Sequence, residues 1–163
     1  MKVTVLNALS ANGFIAEQDG STPWQDAEWD LFEHTMNEYD CIAVGRKTFD
    51  EVTVDGDLDN YKGEVFVLSS NNARFNSPKA IFDEAAAKEY KNILIIGGKG
   101  CNTAFFKEKL VTNIIIDFEP KIFSQGIPFI DDNDEFFVDL ELLSYSTYGN
   151  SGIRCEYNVK KYI

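Results

Sequence analysis

Apolar residues fall in short runs along this chain, and polar or glycine positions bound each run. Runs such as Ile93–Ile96 and Ile114–Ile116 are strand-sized. The pattern predicts strands over 2–9, 41–45, 64–69, 92–96 and 112–118, with a short one near 79–82. Between them, apolar spacing near one helical turn predicts helices at about 24–38, 47–52, 83–90 and 99–109. An acidic loop fills 53–63. Two long strands near 134–146 and 152–162 close the chain, separated by the turn-rich segment Tyr148-Gly149-Asn150-Ser151-Gly152. Strand–helix alternation implies a mixed, mostly parallel sheet flanked by helices. The last two strands read as an antiparallel hairpin at one edge. The expectation is a single α/β domain spanning residues 1–163.

Two of the strands run into glycine turns. The first is Ile42-Ala43-Val44-Gly45-Arg46-Lys47-Thr48, and the second is Ile93-Leu94-Ile95-Ile96-Gly97-Gly98-Lys99-Gly100. Each turn leads into a predicted helix and carries a cation beside its glycines. Glycine lets backbone N–H groups approach an anion, and a helix N-terminus favours negative charge. A pair of such turns points to an elongated ligand with more than one phosphate, such as a dinucleotide. Cys101 follows the second turn, where a helix N-terminus lowers a thiol pKa; the alternative is a small residue packed beneath the turn.

The first helix holds a carboxylate out of place. Thr22-Pro23-Trp24-Gln25 resembles a capping box with proline at the first helical position. At about 100° per residue, Ala27, Trp29, Leu31, Phe32, Thr35, Met36 and Tyr39 fall on one arc. Asp30, Glu33, His34 and Glu38 fall on the other. Glu28 lies within the apolar arc. A buried carboxylate must be paired, hydrogen-bonded or protonated. Such a group can bind the N–C–N edge of a pterin or pyrimidine, or help protonate a ring. The alternative is that Glu28 reaches past the core edge to water.

Charge and composition narrow the classes. The chain has 163 residues, is 44% hydrophobic, and carries a net charge of −12. It can bury a core, but it lacks the clustered cations that nucleic acid or an anionic membrane requires. The N-terminal run is a first strand rather than a signal peptide, so a cytoplasmic location is expected. Three cysteines without a C-x-x-C and a single histidine, His34, offer no metal site. Asp50, Glu51, Asp55, Asp57 and Asp59 make the segment after the first glycine turn repulsive to a phosphorylated substrate.

The order of motifs resembles a known superfamily. Gly45-Arg46-Lys47-Thr48-Phe49, then Val67-Leu68-Ser69-Ser70, then Ile96-Gly97-Gly98, resembles the cofactor-site series of dihydrofolate reductases. Ser10-Ala11-Asn12-Gly13-Phe14-Ile15-Ala16, Asp19-Gly20-Ser21 and Gly126-Ile127-Pro128-Phe129-Ile130 resemble the reductase domain of bifunctional riboflavin-synthesis enzymes and its stand-alone relatives. The resemblance implies one shared fold and NADPH as reductant. It implies that Ala8, Leu9 and Ile15 lie near the nicotinamide. Gly45, Arg46, Lys47 and Thr48 match the phosphate turn, and Gly97, Gly98, Lys99, Gly100 and Cys101 match the pyrophosphate turn. Arg46 with Ser69 or Ser70, beside Leu68, matches the positions that hold the adenosine 2′-phosphate.

The same resemblance brings Glu28 close to the family's substrate-binding acid. A register without a gap puts Trp29 there instead, and Asp26 is a third candidate. Phe32 shares that wall, and Asp117 is a candidate second substrate contact. Two patterns are missing: the Asp-Asn-Pro…Leu-Thr-x-Arg segment of riboflavin-pathway reductases, and a basic site for a folate tail. The resulting expectation is hydride transfer from NADPH to a small pterin- or pyrimidine-like molecule, with a homodimer implied by the stand-alone relatives. Two alternatives stand beside it. One is a Rossmann-type dehydrogenase, in which Asp117, twenty positions after Gly97, serves as ribose-binding acid. The other is a cofactor-binding oligomer without catalysis.

Overall fold

Successive side chains of a strand serve opposite faces of a sheet, and here both faces are apolar. The computed structural model describes residues 1–131, 133 and 135–163. Its elements in chain order are β1 (Lys2–Ser10), β2 (Phe14–Glu17), α1 (Asp26–Met36), β3 (Cys41–Gly45), α2 (Arg46–Asp55), β4 (Glu64–Leu68) and α3 (Pro78–Ala87). They continue with β5 (Asn92–Ile95), α4 (Lys99–Lys107), β6 (Asn113–Glu119), β7 (Gly126–Pro128), β8 (Val138–Tyr148) and β9 (Gly152–Tyr162). Among the described residues, seven strands form one sheet in the order β4-β3-β5-β1-β6-β9-β8. The first five of these are mutually parallel; β9 runs antiparallel to β6 and to β8. The mixed α/β fold and its C-terminal antiparallel pair are as expected.

Alternation sorts the core into two layers. Val3, Val5, Cys41, Ala43, Ile93 and Ile95 pack with Ile81 and Ala85 of α3 and with Phe105 and Phe106 of α4. Leu6, Ile42, Val44, Leu94 and Ile96 pack with Met36 of α1, and Phe32 and Phe49 border that layer. So α1 and α2 cover one face, and α3 and α4 cover the other. No helix among the described residues is long and apolar enough to cross a membrane.

Several boundaries differ from expectation. The predicted strand at 79–82 and helix at 83–90 are one helix, α3. Ser77 Oγ accepts the Ala80 N–H at 3.2 Å, Pro78 opens the helix, and Ile81 and Ala85 bury the same stripe. Helix α1 starts at Asp26, without the capping box. Gln25 is its N-cap residue but makes no side-chain cap bond. Its side chain is engaged elsewhere: Nε2 donates to Glu119 at 3.0 Å, and Oε1 accepts the Asn150 N–H at 2.6 Å. Helix α2 runs on to Asp55 before Gly56 closes it with a φ of 80°. The short antiparallel pair β2–β7 was not expected from patterning. The predicted strand start at 134 lies outside the described residues; β8 begins at Val138.

Candidate functional site

Strand order reverses direction around β5, which lies between β3 and β1. Helix α2 leaves β3 on one face, and α4 leaves β5 on the other. A crevice opens where such helices diverge at the carboxyl ends of parallel strands, and ligands bind there in open α/β sheets. A cavity of about 760 Å³ occupies this place.

The two glycine turns meet in it. The Gly45 N–H donates to the Gly97 carbonyl at 2.9 Å, and the Ile96 N–H donates to Ala43 at 3.1 Å. Gly97 has a φ of 100°, in the region that favours glycine, and a Cβ there would lie 3.1 Å from Asn7 Nδ2. A Cβ on Gly98 would come within 2.9 Å of Thr48 Oγ1. These glycines hold the two turns close and keep their backbones open to the cavity. Helices α2 and α4 therefore direct their N-termini, with Arg46, Lys47 and Lys99, into one space. Arg46 lies 3.6 Å from Asp50 and over the Phe49 ring. Leu68, Ser69 and Ser70, at the end of β4, complete this side.

Ala8, Ile15, Gly45, Thr48, Gly98, Gly100 and Cys101 also line the cavity, and so do Glu28, Trp29 and Phe32. Leu9 does not; it is buried in the core beside them. Gly97 stands behind the wall, shaping it through the Gly45 bond. Cys101 packs against Gly45, and burial pushes its thiol up to about 12, so the reactive-thiol alternative falls to the packed one. His34 is exposed and faces Glu38 at 3.4 Å.

The opposite wall centres on Glu28. Its residue is only 3% exposed, and its carboxyl makes no hydrogen bond to a described residue. Burial first, then repulsion from Asp117 and Glu119, pushes its pKa up to about 8; Arg154 pulls the other way, and Asp57 adds to the rise. The carboxyl is thus largely protonated at neutral pH. Asp26 is exposed and lies off the cavity. Of the three candidates for the acid position, Glu28 is the carboxylate that reaches the cavity; Trp29 lines it as an apolar ring.

Asp117 departs from both roles expected of it. It is fully buried and lies outside the cavity wall. Arg154 of β9 grips it with two bonds, Nε to Oδ1 at 2.7 Å and a terminal nitrogen to Oδ2 at 2.6 Å. The other terminal nitrogen of Arg154 donates to Thr35 Oγ1 of α1 at 2.6 Å. Burial raises the Asp117 carboxyl, and the bonds from Arg154 offset part of that rise. Asp117 is therefore held with Arg154 as a structural anchor for α1, away from the cavity where either expected role would place it. Glu119 makes a second tie, accepting from Gln25 at 3.0 Å and from the Tyr148 hydroxyl at 2.9 Å.

Patterning missed part of the site. Asn7, Ile96, Trp24 and Asp57 line the cavity, as does the segment around Gln18, Gly20 and Thr22. Trp24 was legible only as part of a helix start; here its ring stacks on Phe123 at 5.7 Å and walls the cavity. Arg154 had one signal: a lone arginine within a strand otherwise ready for a sheet.

No family model matches the chain. It is 25% identical over 141 residues to the uncharacterized protein YwjB of Bacillus subtilis (strain 168), covering 78% of this chain and 81% of that one. It is 22% identical to the uncharacterized protein YyaP of the same organism, covering 93% and 91%. Among solved structures, a candidate riboflavin biosynthesis protein from Shewanella sp. PV-4 superposes with a TM-score of 0.80 at 22% identity, over 99% of this chain and 100% of that one. The chain has the dihydrofolate-reductase-like fold. A pyrimidine reductase-like protein from Corynebacterium diphtheriae shares that fold at a TM-score of 0.74 and 18% identity, over 98% and 92%. So does the diaminohydroxyphosphoribosylaminopyrimidine deaminase/5-amino-6-(5-phosphoribosylamino)uracil reductase of Thermotoga maritima, at 0.74 and 14%; there this chain spans 97% of its own length and 56% of the larger enzyme.

Proposed function

We propose that this protein is an NADPH-dependent reductase acting on a small pterin- or pyrimidine-like molecule. One observation carries the proposal: a single cavity joins two glycine turns at helix N-termini to a buried carboxyl that makes no hydrogen bond to a described residue. Reductases among the fold neighbours support the reaction class.

The residues present fit a dinucleotide. The turns Gly45–Thr48 and Gly97–Cys101 offer backbone N–H groups and helix N-termini to its phosphates. Arg46, Ser69 and Ser70 would hold a 2′-phosphate, and Ala8 and Ile15 would flank the nicotinamide. When bound, NADPH supplies a hydride. The chain's own residues orient the acceptor and manage a proton. Trp29, Phe32 and Trp24 supply aromatic walls for a flat heterocycle. Glu28, protonated near neutrality, shares its proton with a ring nitrogen and fixes the ring's N–C–N edge. Asp117 and Arg154 act through α1, fixing the helix that carries Glu28.

The long edge strand β8 carries exposed Leu140, Leu142, Leu143 and Tyr145. Antiparallel pairing with the same strand of a second copy would satisfy the free backbone edge of β8 and set these side chains beside their counterparts, which supports a homodimer. Sedimentation of the wild type beside Tyr145→Lys tests it: a dimer dissociated by the substitution is expected, and a wild-type monomer contradicts it.

The test of function is an NADPH titration followed by protein fluorescence, then loss of NADPH absorbance across pterin and pyrimidine panels. Saturable binding with turnover by one panel class is the expected result. Absence of saturable NADPH binding overturns the reading; binding without turnover favours a non-catalytic cofactor-binding protein.

A further inference from the structure

The charges lining the cavity are segregated. Its cations, Arg46, Lys47 and Lys99, all belong to the first turns of α2 and α4. Its acids lie farther along: Glu51 and Asp55 follow one and two turns down α2, and Asp57 comes just beyond. Lys47 approaches Glu51 at 4.0 Å, which marks where the sign changes. Helix α2 has no basic residue in its last turn, so Asp55 adds its charge to the negative end of the helix dipole. Burial and the neighbouring Asp55 both raise the Asp57 carboxyl above its usual range. Asp57 and Glu28 both line this cavity.

This acidic side also contains a group waiting for a partner. Glu28 is 3% exposed, lines the cavity, and makes no hydrogen bond to a described residue. The charges acting most on it are Asp117, Glu119 and Asp57, against the single cation Arg154. Arg154 and Asp117 compensate one another in their two-bonded pair, which leaves Glu119 and Asp57 as the uncompensated charges acting on Glu28. No lysine or arginine among the described cavity-lining residues lies beyond the two helix starts. The electrostatic field at this end selects against anions and favours cations. Trp24, Trp29 and Phe32 line the same space, and aromatic rings there also favour a cation.

We propose that the substrate is a flat nitrogen heterocycle whose side arm is an amine and carries no phosphate. The ring edge meets Glu28, and the arm extends toward Glu51, Asp55 and Asp57. This rests on the reductase reading above and adds the charge class of its substrate.

Three ligands that differ only in the arm test the proposal. They are 2,4-diaminopteridines bearing a 6-aminomethyl, a 6-hydroxymethyl or a 6-phosphooxymethyl group, titrated calorimetrically into the protein saturated with NADPH. The amine is expected to bind tightest and the phosphate ester weakest, with about a tenfold step between successive arms. Asp55→Asn/Asp57→Asn is expected to shrink both steps several-fold, and added salt to shrink them further. Asp57→Asn alone, a single change at a half-buried site, is expected to act in the same direction. A phosphate ester that binds as tightly as the alcohol overturns the proposal, as does failure of all three to bind. In either case NADPH saturation still stands as separate evidence for the reductase reading; loss of NADPH binding itself overturns that reading instead.

Discussion

At the glycine-turn end of the cavity, two backbone turns and helix starts shape the wall; at the Glu28 end, side chains from distant elements do. The first end uses N–H groups, two helix dipoles and cations at the helix starts. Its determinants lie close together in sequence because one turn supplies several of them. The second end gathers Glu28 from α1, Trp24 from the loop before it, and Asp57 from beyond α2. It is held by Arg154, which lies 126 positions after Glu28 in the chain. A local motif makes an anion cradle, whereas a buried acid needs the whole fold to stabilise it.

Substitutions at each end sharpen this contrast. The largest effect is expected from Glu28→Gln, which removes the proton but keeps the shape. Turnover should fall by about 10²–10⁴-fold while NADPH affinity stays within about twofold. The paired readouts are steady-state rates and a fluorescence titration; equal losses in both would merge the two ends into one. Stability gives a further sign. The folded pKa of Glu28 is about 8, above its ordinary value of 4.5. Its contribution is therefore complete below about pH 4.5 and is lost as pH rises through about 8. Thermal melts should show wild type weakening between these limits more than Glu28→Gln does.

Next in size is Arg154→Met. It strands the fully buried Asp117 without its partner, at an expected cost of about 3–5 kcal/mol. Arg154→Met/Asp117→Leu should recover much of that in urea denaturation, because no unpaired charge remains. If the double variant is no more stable than the single, the pair is not the anchor of α1. Gly97→Ala should cost at least about 1 kcal/mol, since a φ of 100° opposes a side chain, and it should weaken NADPH. Arg46→Ala is expected to lower NADPH affinity about tenfold and leave NADH nearly unchanged. An equal loss for both cofactors would remove Arg46 from the 2′-phosphate site.

Much of the fold was legible because buried parallel strands read as continuous apolar runs. Ile93–Ile96 is apolar on both faces, and both faces are covered. The errors came where tertiary contacts override local pattern. Ala80-Ile81-Phe82 resembles a strand until Ser77 and Pro78 start a helix through it. Gln25 resembles part of a cap until Glu119, 94 positions away, takes its side chain. In the site, the glycine turns were visible as local motifs. Glu28 was visible as an acid on an apolar arc. Asp117 was not interpretable without Arg154, because register alone brings β6 and β9 side by side and pairs the two. Asp57 was visible only as one charge of an acidic segment and Trp24 only as part of a helix start, since loops that fold over a cavity carry no periodicity to place them in its wall.

The most direct measurement is a crystal structure of the protein with NADPH bound. The expected result has the pyrophosphate between the turns Gly45–Thr48 and Gly97–Cys101, the 2′-phosphate beside Arg46 and Ser69, and the nicotinamide against Ala8 and Ile15, leaving a heterocycle-sized space open to Glu28. A nicotinamide lying away from Glu28, or phosphates outside the two turns, would contradict the proposed site.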